Sequence, residues 1–302
     1  MTAARVAAQA KVNLSLRILA REQSGFHQIE TLFQRLELAD TVTVRPSKER
    51  SLDVVFGDPS RAVDFGPVEK NLAWRAAESY AAATGWPHGF AIEIEKWIPV
   101  GGGLGGGSAD AAAVLRALDA LAPDPVGNDA LLDLAARLGA DVTFLTSPSE
   151  LALAWGRGER MLDVAPLPLA PVLLVVPDFG VNTAQAYGAL AAHRDATHAV
   201  SRPRWRTAAH FGSWDAVAAD AVNDFETVVF AQHPSLEGVR AQMGALPRSV
   251  LALMSGSGST LFAVQHAVAD GASAGASGVL ALPKGWSMVT TATAPAAPVV
   301  LL

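Results

Sequence analysis

Polar and apolar residues alternate along 5–19, where Val12, Leu14, Leu16 and Ile18 recur at every second position, the period of a half-buried strand. Ser24-Gly25 marks a turn, and Ile29 to Leu38 reads as a second extended segment. Asp40 to Arg45 alternates again and stops at Pro46, and a short strand is expected over Leu52–Phe56. The period then changes. Leu72, Ala73, Ala76, Ala77 and Tyr80 share one helical face within 71–83, whereas Phe90 to Lys96 returns to period two. Helices are expected over 108–121, with Ser108 or a neighbour as N-cap, and over 128–138, closed by Gly139.

Residues 150–163 read as turn-rich around Gly156-Arg157-Gly158-Glu159, and Pro166, Pro168 and Pro171 then cluster as a domain junction. Beyond them come a buried strand over Val172–Val176 and a helix over Thr183–Ala192. Residues 193–213, with Arg194, Arg202, Arg204 and Arg206, suggest a basic surface loop, followed by helices over 214–230 and 234–245. Val250–Met254 and Leu261–Gln265 flank a second glycine turn, Ser255-Gly256-Ser257-Gly258-Ser259, and the segment after Pro283 holds a final strand or two. Strict β-α-β alternation is rare, which favours an α+β class over a doubly wound sheet. At ~150 residues per domain, the junction divides the chain into 1–165 and 166–302.

Between the strand ending at Lys96 and the next helix stand Pro99, Val100, Gly101, Gly102, Gly103, Leu104, Gly105, Gly106, Gly107 and Ser108, with six glycines in seven positions. Glycine admits close backbone approach and positive φ. Such a loop entering a helix aims unpaired N–H groups and the positive helix end at one point, a seat for phosphates. No Gly-Lys-Ser/Thr follows, so this is not a Walker A loop, and no spaced G-x-G-x-x-G with a later acid marks a dinucleotide fold. Pro99 in front and the immediate helix behind argue against a flexible linker.

Composition narrows the classes. Half of the 302 residues are hydrophobic and 17% are charged, enough for a sizeable core. No apolar run is long enough for a bilayer, and residues 1–10 lack the apolar stretch of a secretory signal, so a cytoplasmic protein without a membrane partner is expected. The absence of cysteine excludes disulfides, thiolate metal sites and cysteine nucleophiles. A net charge of −6 argues against a nucleic-acid partner.

Phosphoryl transfer needs a phosphate cradle, a cation, and a group that orients or deprotonates the attacking hydroxyl. The loop can be the cradle, Lys11 the cation and Asp141 the base. Taken singly, Lys11 also suits a solvated strand edge, and Asp141 also suits a turn.

Together with the second glycine turn, this layout resembles the superfamily of galactokinase, homoserine kinase, mevalonate kinase and phosphomevalonate kinase (GHMP kinases). Ala10-Lys11-Val12-Asn13-Leu14, Gly25-Phe26-His27, the 101–110 loop, Leu138-Gly139-Ala140-Asp141-Val142, Gly156-Arg157-Gly158-Glu159, Asn223-Asp224-Phe225-Glu226 and Met254-Ser255-Gly256-Ser257-Gly258 sharpen it. In that order they are similar to the 4-diphosphocytidyl-2-C-methyl-D-erythritol kinase family, over about residues 10–265. The resemblance implies a two-domain α+β GHMP kinase fold, its N-terminal domain ribosomal-protein-S5-like and its C-terminal domain a ferredoxin-like α/β-plait. It implies ATP-dependent phosphorylation of the 2-hydroxyl of a cytidine-diphosphate-linked methylerythritol in non-mevalonate isoprenoid precursor synthesis. It further implies Asp141 as base and Lys11 as the group polarising the hydroxyl, with Asn13, Phe26, His27 and Tyr187 at the substrate. Lys96, Asn71 and Leu72 would lie near the adenine and residues 101–108 around the triphosphate, with Pro99 and Val100 also at the ATP. Magnesium is implied by the nucleotide; no ligand cluster for it is visible.

An aromatic ring beside a hydrogen-bonding side chain suits a pyrimidine, although Phe26-His27 also fits a hydrophobic plug and Tyr187 simple core packing. The chain departs from the family where Ala109 replaces a usual serine, Thr143 a usual proline and Phe26 a frequent tyrosine. Rival readings are a related kinase acting on homoserine or a mevalonate derivative, a catalytically silent ligand sensor on the same fold, and a Rossmann oxidoreductase. Gly25-Phe26-His27 counts against the first, the Lys11 and Asp141 pair against the second, and the missing ribose-binding acid against the third.

Overall fold

The computed structural model describes residues 2–22, 27–205, 207–267 and 280–302; the expected Ser24-Gly25 turn, Phe26 and Arg206 lie outside them. Strands β1 (Ala4–Arg21) and β2 (His27–Ser47) pair antiparallel from Ala4↔Val44 to Arg21↔His27. Strand β4 (Gly89–Lys96) lies along residues 41–47 of β2, with β3 (Ser51–Phe56) parallel to its far side. The other half of β2, residues 29–34, pairs with β5 (Leu151–Gly156), which turns back into β6 (Arg160–Val164). Helices α1 (Leu72–Thr84), α2 (Gly106–Leu121), α3 (Asn128–Leu138) and α4 (Ala140–Thr146) complete this part. Helix α2 packs on β1 and β2 and touches α1, α3 and α4. That crowding explains its alanines: nine of its residues are buried, including Ala109, Ala111, Ala112 and Ala113, as a helix covered on most sides requires.

A second, antiparallel sheet runs in the order β10 (Ser287–Ala292), β7 (Pro171–Val176), β9 (Leu261–Gln265), β8 (Ser249–Met254). An apolar cluster joins β7–β9 to α5 (Thr183–Thr197), α7 (Glu226–Gln232) and α8 (Pro234–Gly244), and reaches back to Leu16 and Ile18 of β1. Helix α6 (Trp214–Asp220) packs on the larger core through Trp214 and Val217. The last strand, β11 (Val299–Leu301), returns to β1, pairing Ala4 with Leu301. The architecture is of the α+β class, with two sheets and helices packed on them. Among the described residues no helix is long and apolar enough to cross a membrane.

Several local expectations change. The two segments expected within 29–45 are one strand, because β2 passes from β5 to β4 along one edge while Asp40 is held by the N–H groups of Trp97 and Ile98. The turn-rich 150–163 segment is the β5–β6 hairpin, whose loop is set by Gly156 and Gly158 at φ of 74° and 99°. Helix α5 continues to Thr197, so Arg194 is helical rather than in a surface loop. The helix expected over 214–230 breaks into α6 and α7, since the Asn223 side chain accepts from the N–H of Phe225 and competes with the helical ladder. Helix α2 starts at Gly106 with Gly105 as its left-handed N-cap and no side-chain cap, so Ser108 lies inside the first turn.

Candidate functional site

The glycine loop is shaped by its contact with the second glycine turn. Gly103 has φ of 80°, and a Cβ there would collide with the carbonyl oxygen of Ser255; one on Gly102 would collide with Thr260 Oγ1. The two turns are also hydrogen-bonded: Thr260 N–H donates to Gly102 O (3.2 Å) and Ser255 Oγ donates to Gly103 O (2.9 Å). Behind the loop, the uncapped start of α2 leaves backbone N–H groups free for an anion. A cavity of about 340 Å³ lies there, lined by residues 98–108, Asn71, Leu72 and Lys96. Asn71 caps α1, its side chain accepting from Ala73 N–H at 2.9 Å, and Leu72 is the first residue of that helix.

Lys96 sits in the cavity wall with its ammonium bound to Asp40 and, at 2.7 Å, to Asp110 Oδ2. All three residues are buried. Burial acts to lower the Lys96 pKa, but the two carboxylates outweigh it and the net shift is upward. Asp110 is pushed up to about 7, chiefly by burial, with Lys96 opposing and Asp40 adding to the rise. Its Oδ1 is buried without a hydrogen-bond partner. Neither Asp40 nor Asp110 stood out in the sequence, because nothing in the local pattern says that two carboxylates so far apart share one lysine.

Lys11, Asn13 and Asp141 meet on the other side of the loop. Lys11 Nζ donates to Asn13 Oδ1 (2.8 Å) and Gly103 O (3.1 Å) and lies 3.2 Å from Asp141 Oδ2. The Lys11 side chain is 4% exposed and that of Asp141 32%, so the cation is fixed while the carboxylate still faces solvent. Register shifts at Gln9/Lys11 and Asn13/Ser15 bracket the pair; such irregularities re-aim side chains beside sites. Asn13 Nδ2 donates to Thr31 Oγ1 at 2.8 Å, which fixes its amide. Asp141 lies in the first turn of α4, and Arg35 holds that helix at its other end, donating to the carbonyls of Phe144, Leu145, Ser147 and Ser149. Burial pulls the Arg35 pKa down to about 9.

His27 and Tyr187 also converge, their rings stacked with centroids 4.4 Å apart. The Tyr187 pKa is pushed up to about 12 by burial and by the negative charge of Asp141, so these residues share one cleft. Because the two rings already touch, a planar base must part them or stack on an outer face. Of the departures, Ala109 is buried in α2 and Thr143 bonds its hydroxyl to Gly139 O at 3.2 Å.

The Asn223–Glu226 motif fastens the second glycine turn. Asn223 Nδ2 donates to Met254 O (2.7 Å) and Gly256 O (2.8 Å), and Glu226 accepts from Met254 N–H at 2.7 Å. Asp224 accepts from Ile18 N–H of β1 at 2.7 Å. The motif is visible in the sequence, but its partners are not.

The description "GHMP kinases N terminal domain" matches residues 71–149, which run from the cap of α1 through the glycine loop and Asp141. A 4-diphosphocytidyl-2-C-methyl-D-erythritol kinase from Desulfitobacterium hafniense (strain Y51) is 37% identical over 257 residues, 85% of each chain. The chain belongs to this kinase family. A second relative of the same name, from Bacillus cereus (strain AH187), is 35% identical over 86% of this chain and 88% of its own. A crystal structure of 4-(cytidine 5'-diphospho)-2C-methyl-D-erythritol kinase superposes with a TM-score of 0.69 at 38% identity, covering 86% of this chain and 89% of that one. A homoserine kinase from Cytophaga hutchinsonii shares the fold with a TM-score of 0.66 at 17% identity, covering 99% and 98% of the two chains. Membership in the kinase family extends over both sheets, since the matched share far exceeds residues 71–149.

Proposed function

We propose that this chain transfers the γ-phosphoryl group of ATP to the 2-hydroxyl of 4-diphosphocytidyl-2-C-methyl-D-erythritol, as the names of its relatives suggest. The observation that carries the reading is the Lys11–Asp141 pair, 3.2 Å apart and packed against the glycine loop. In this reading residues 101–108 wrap the triphosphate, Pro99 and Val100 also bind the ATP, and Asn71, Leu72 and Lys96 lie toward the nucleotide's base. Asn13, Phe26, His27 and Tyr187 hold the cytidyl alcohol. Lys11 polarises the hydroxyl and Asp141 accepts its proton. The alcohol oxygen bonds to the γ-phosphorus while the bond from that phosphorus to the β,γ-bridging oxygen breaks, and ADP leaves with the electron pair. Positioning and fixed charge supply most of the rate in such transfers. The same reading divides the chain into a nucleotide-binding half, 1–165, and a second half, 166–302.

Magnesium is implied for a kinase, and bound to the nucleotide it would neutralise charge on the phosphate oxygens. Among the described residues no group of three His, Asp or Glu side chains could hold a metal. Asp110 and Asp141, the carboxylates beside the loop, are each engaged by a lysine. Magnesium commonly arrives on substrate phosphates with its own waters rather than in a dedicated protein cage.

Purified protein with ATP and magnesium should release ADP on addition of the cytidyl-methylerythritol alcohol and not with mevalonate or homoserine. Turnover with another alcohol would overturn the substrate reading while leaving the fold intact. Binding without turnover would favour a sensor.

A further inference from the structure

A second cavity, of about 820 Å³, opens beside the kinase cleft at the end of α5, and none of Lys11, Asn13, His27, Asp141 or Tyr187 lines it. Among the described residues its wall carries Arg17, Arg194, Arg202 and Arg204 against two carboxylates, Asp220 and Asp224. With the histidines neutral, four positive and two negative groups leave a surplus of two positive charges in a chain whose net charge is −6. Two of the arginines are committed: Arg194 pairs with Asp224 at 2.8 Å, and Arg204 with Asp220. Arg202 is exposed and has no ion-pair or hydrogen-bond partner among the described residues. Arg17 donates one Nη to Asp220 O at 3.0 Å, while its Nε is buried without a partner, as is Ser201 Oγ in the same wall. Buried donors of this kind are costly and ordinarily satisfied.

We propose that this cavity is a binding site for a small anion of the diphosphate class, separate from the site of phosphoryl transfer. Guanidinium forks match phosphate oxygens bidentately and stay charged at every physiological pH. A surplus of two charges balances two phosphate groups rather than a long polyanion, which the negative chain as a whole repels. Leu190 and Val200 close the remaining wall with apolar surface, leaving room for a carbon-bearing group attached to the diphosphate. The seat is joined to the kinase cleft by Asp224, which binds both Arg194 and the backbone of Ile18, and by its neighbour Asn223, which holds Gly256.

Isothermal titration of the full chain with inorganic diphosphate tests the site, once a non-hydrolysable ATP analogue has saturated the cleft. The analogue's own binding, read first, tests the glycine loop separately. With the cleft filled, the wild type should still bind one diphosphate, and less tightly as salt is raised. Arg202→Ala should weaken that binding by about tenfold and Arg202→Glu by more. Both variants should keep the wild-type melting temperature and analogue affinity, because Arg202 is exposed and has no ion pair or hydrogen bond to lose among the described residues. Loss of the diphosphate signal once the cleft is filled, or an affinity unchanged in both variants, would overturn the proposal.

Discussion

Lys11 directs its ammonium to Asn13, Asp141 and the carbonyl of Gly103, so one side chain ties a strand, a helix start and the glycine loop together. Asp141→Asn keeps the size of that partner but removes the carboxylate that the proposed transfer uses as its proton acceptor. The expected result is a fall in kcat of about 10²–10⁴-fold with nucleotide affinity nearly unchanged, checked by steady-state kinetics beside equilibrium titration with an ATP analogue. Near-normal turnover would remove Asp141 from the role. Asp110 makes a different prediction. Its pKa is raised in the folded protein to about 7 from an ordinary 3.8. The folded chain therefore keeps a proton that the unfolded chain releases, and the group's contribution to stability falls as pH rises from about 4 to about 7. Asp110→Asn, which keeps an oxygen for Lys96 without the charge, should stabilise the protein more at pH 8 than at pH 5. The difference should be on the order of 2 kcal/mol, read from denaturant unfolding at the two pH values; equal effects would show that Asp110 stays ionised throughout.

At the scale of elements, Asp141 depends on a short helix held at its far end. Arg35 is 1% exposed, and its guanidinium serves four carbonyls at and just beyond the end of α4. Arg35→Leu would leave those oxygens unpaired, at a cost on the order of 4 kcal/mol, and should lower kcat as well by loosening the helix that carries Asp141. Thermal unfolding and turnover test the two effects separately, and a stable, fully active variant would refute the link. Elements were legible where one local rule dominated. Period-two alternation marked β1 and β4, and the span 128–138 coincides with α3. The rule failed at Asp40, whose partners Trp97 and Ile98 lie on a distant segment, and at Asn223, whose side chain breaks a helical pattern to reach Met254 and Gly256.

Over the whole molecule, β1 is the shared element. It contributes Val12 and Leu14 to the larger core and Leu16 and Ile18 to the smaller, and it accepts β11 on its outer edge. Deleting residues 298–302 would expose that edge and remove the bonds from Thr2 N–H to Leu302 O and from Leu302 N–H to Ala3 O. A loss of about 3 kcal/mol and a tendency to self-associate through the open strand should follow, measured by unfolding and light scattering. An unchanged melting temperature would mean that β11 only decorates the sheet.

By itself the sequence determined the class of the protein and the nature of its chemistry. Alternation, helical periodicity and the concentration of glycine at 101–107 are local properties, and local sterics read them directly. Only the tertiary structure decided which groups meet: Lys96 with Asp40 and Asp110, Arg35 with the end of α4, and Arg194 of the second cavity with Asp224. Those pairings join residues far apart in the chain. Their energies depend on burial and distance, which no local pattern contains.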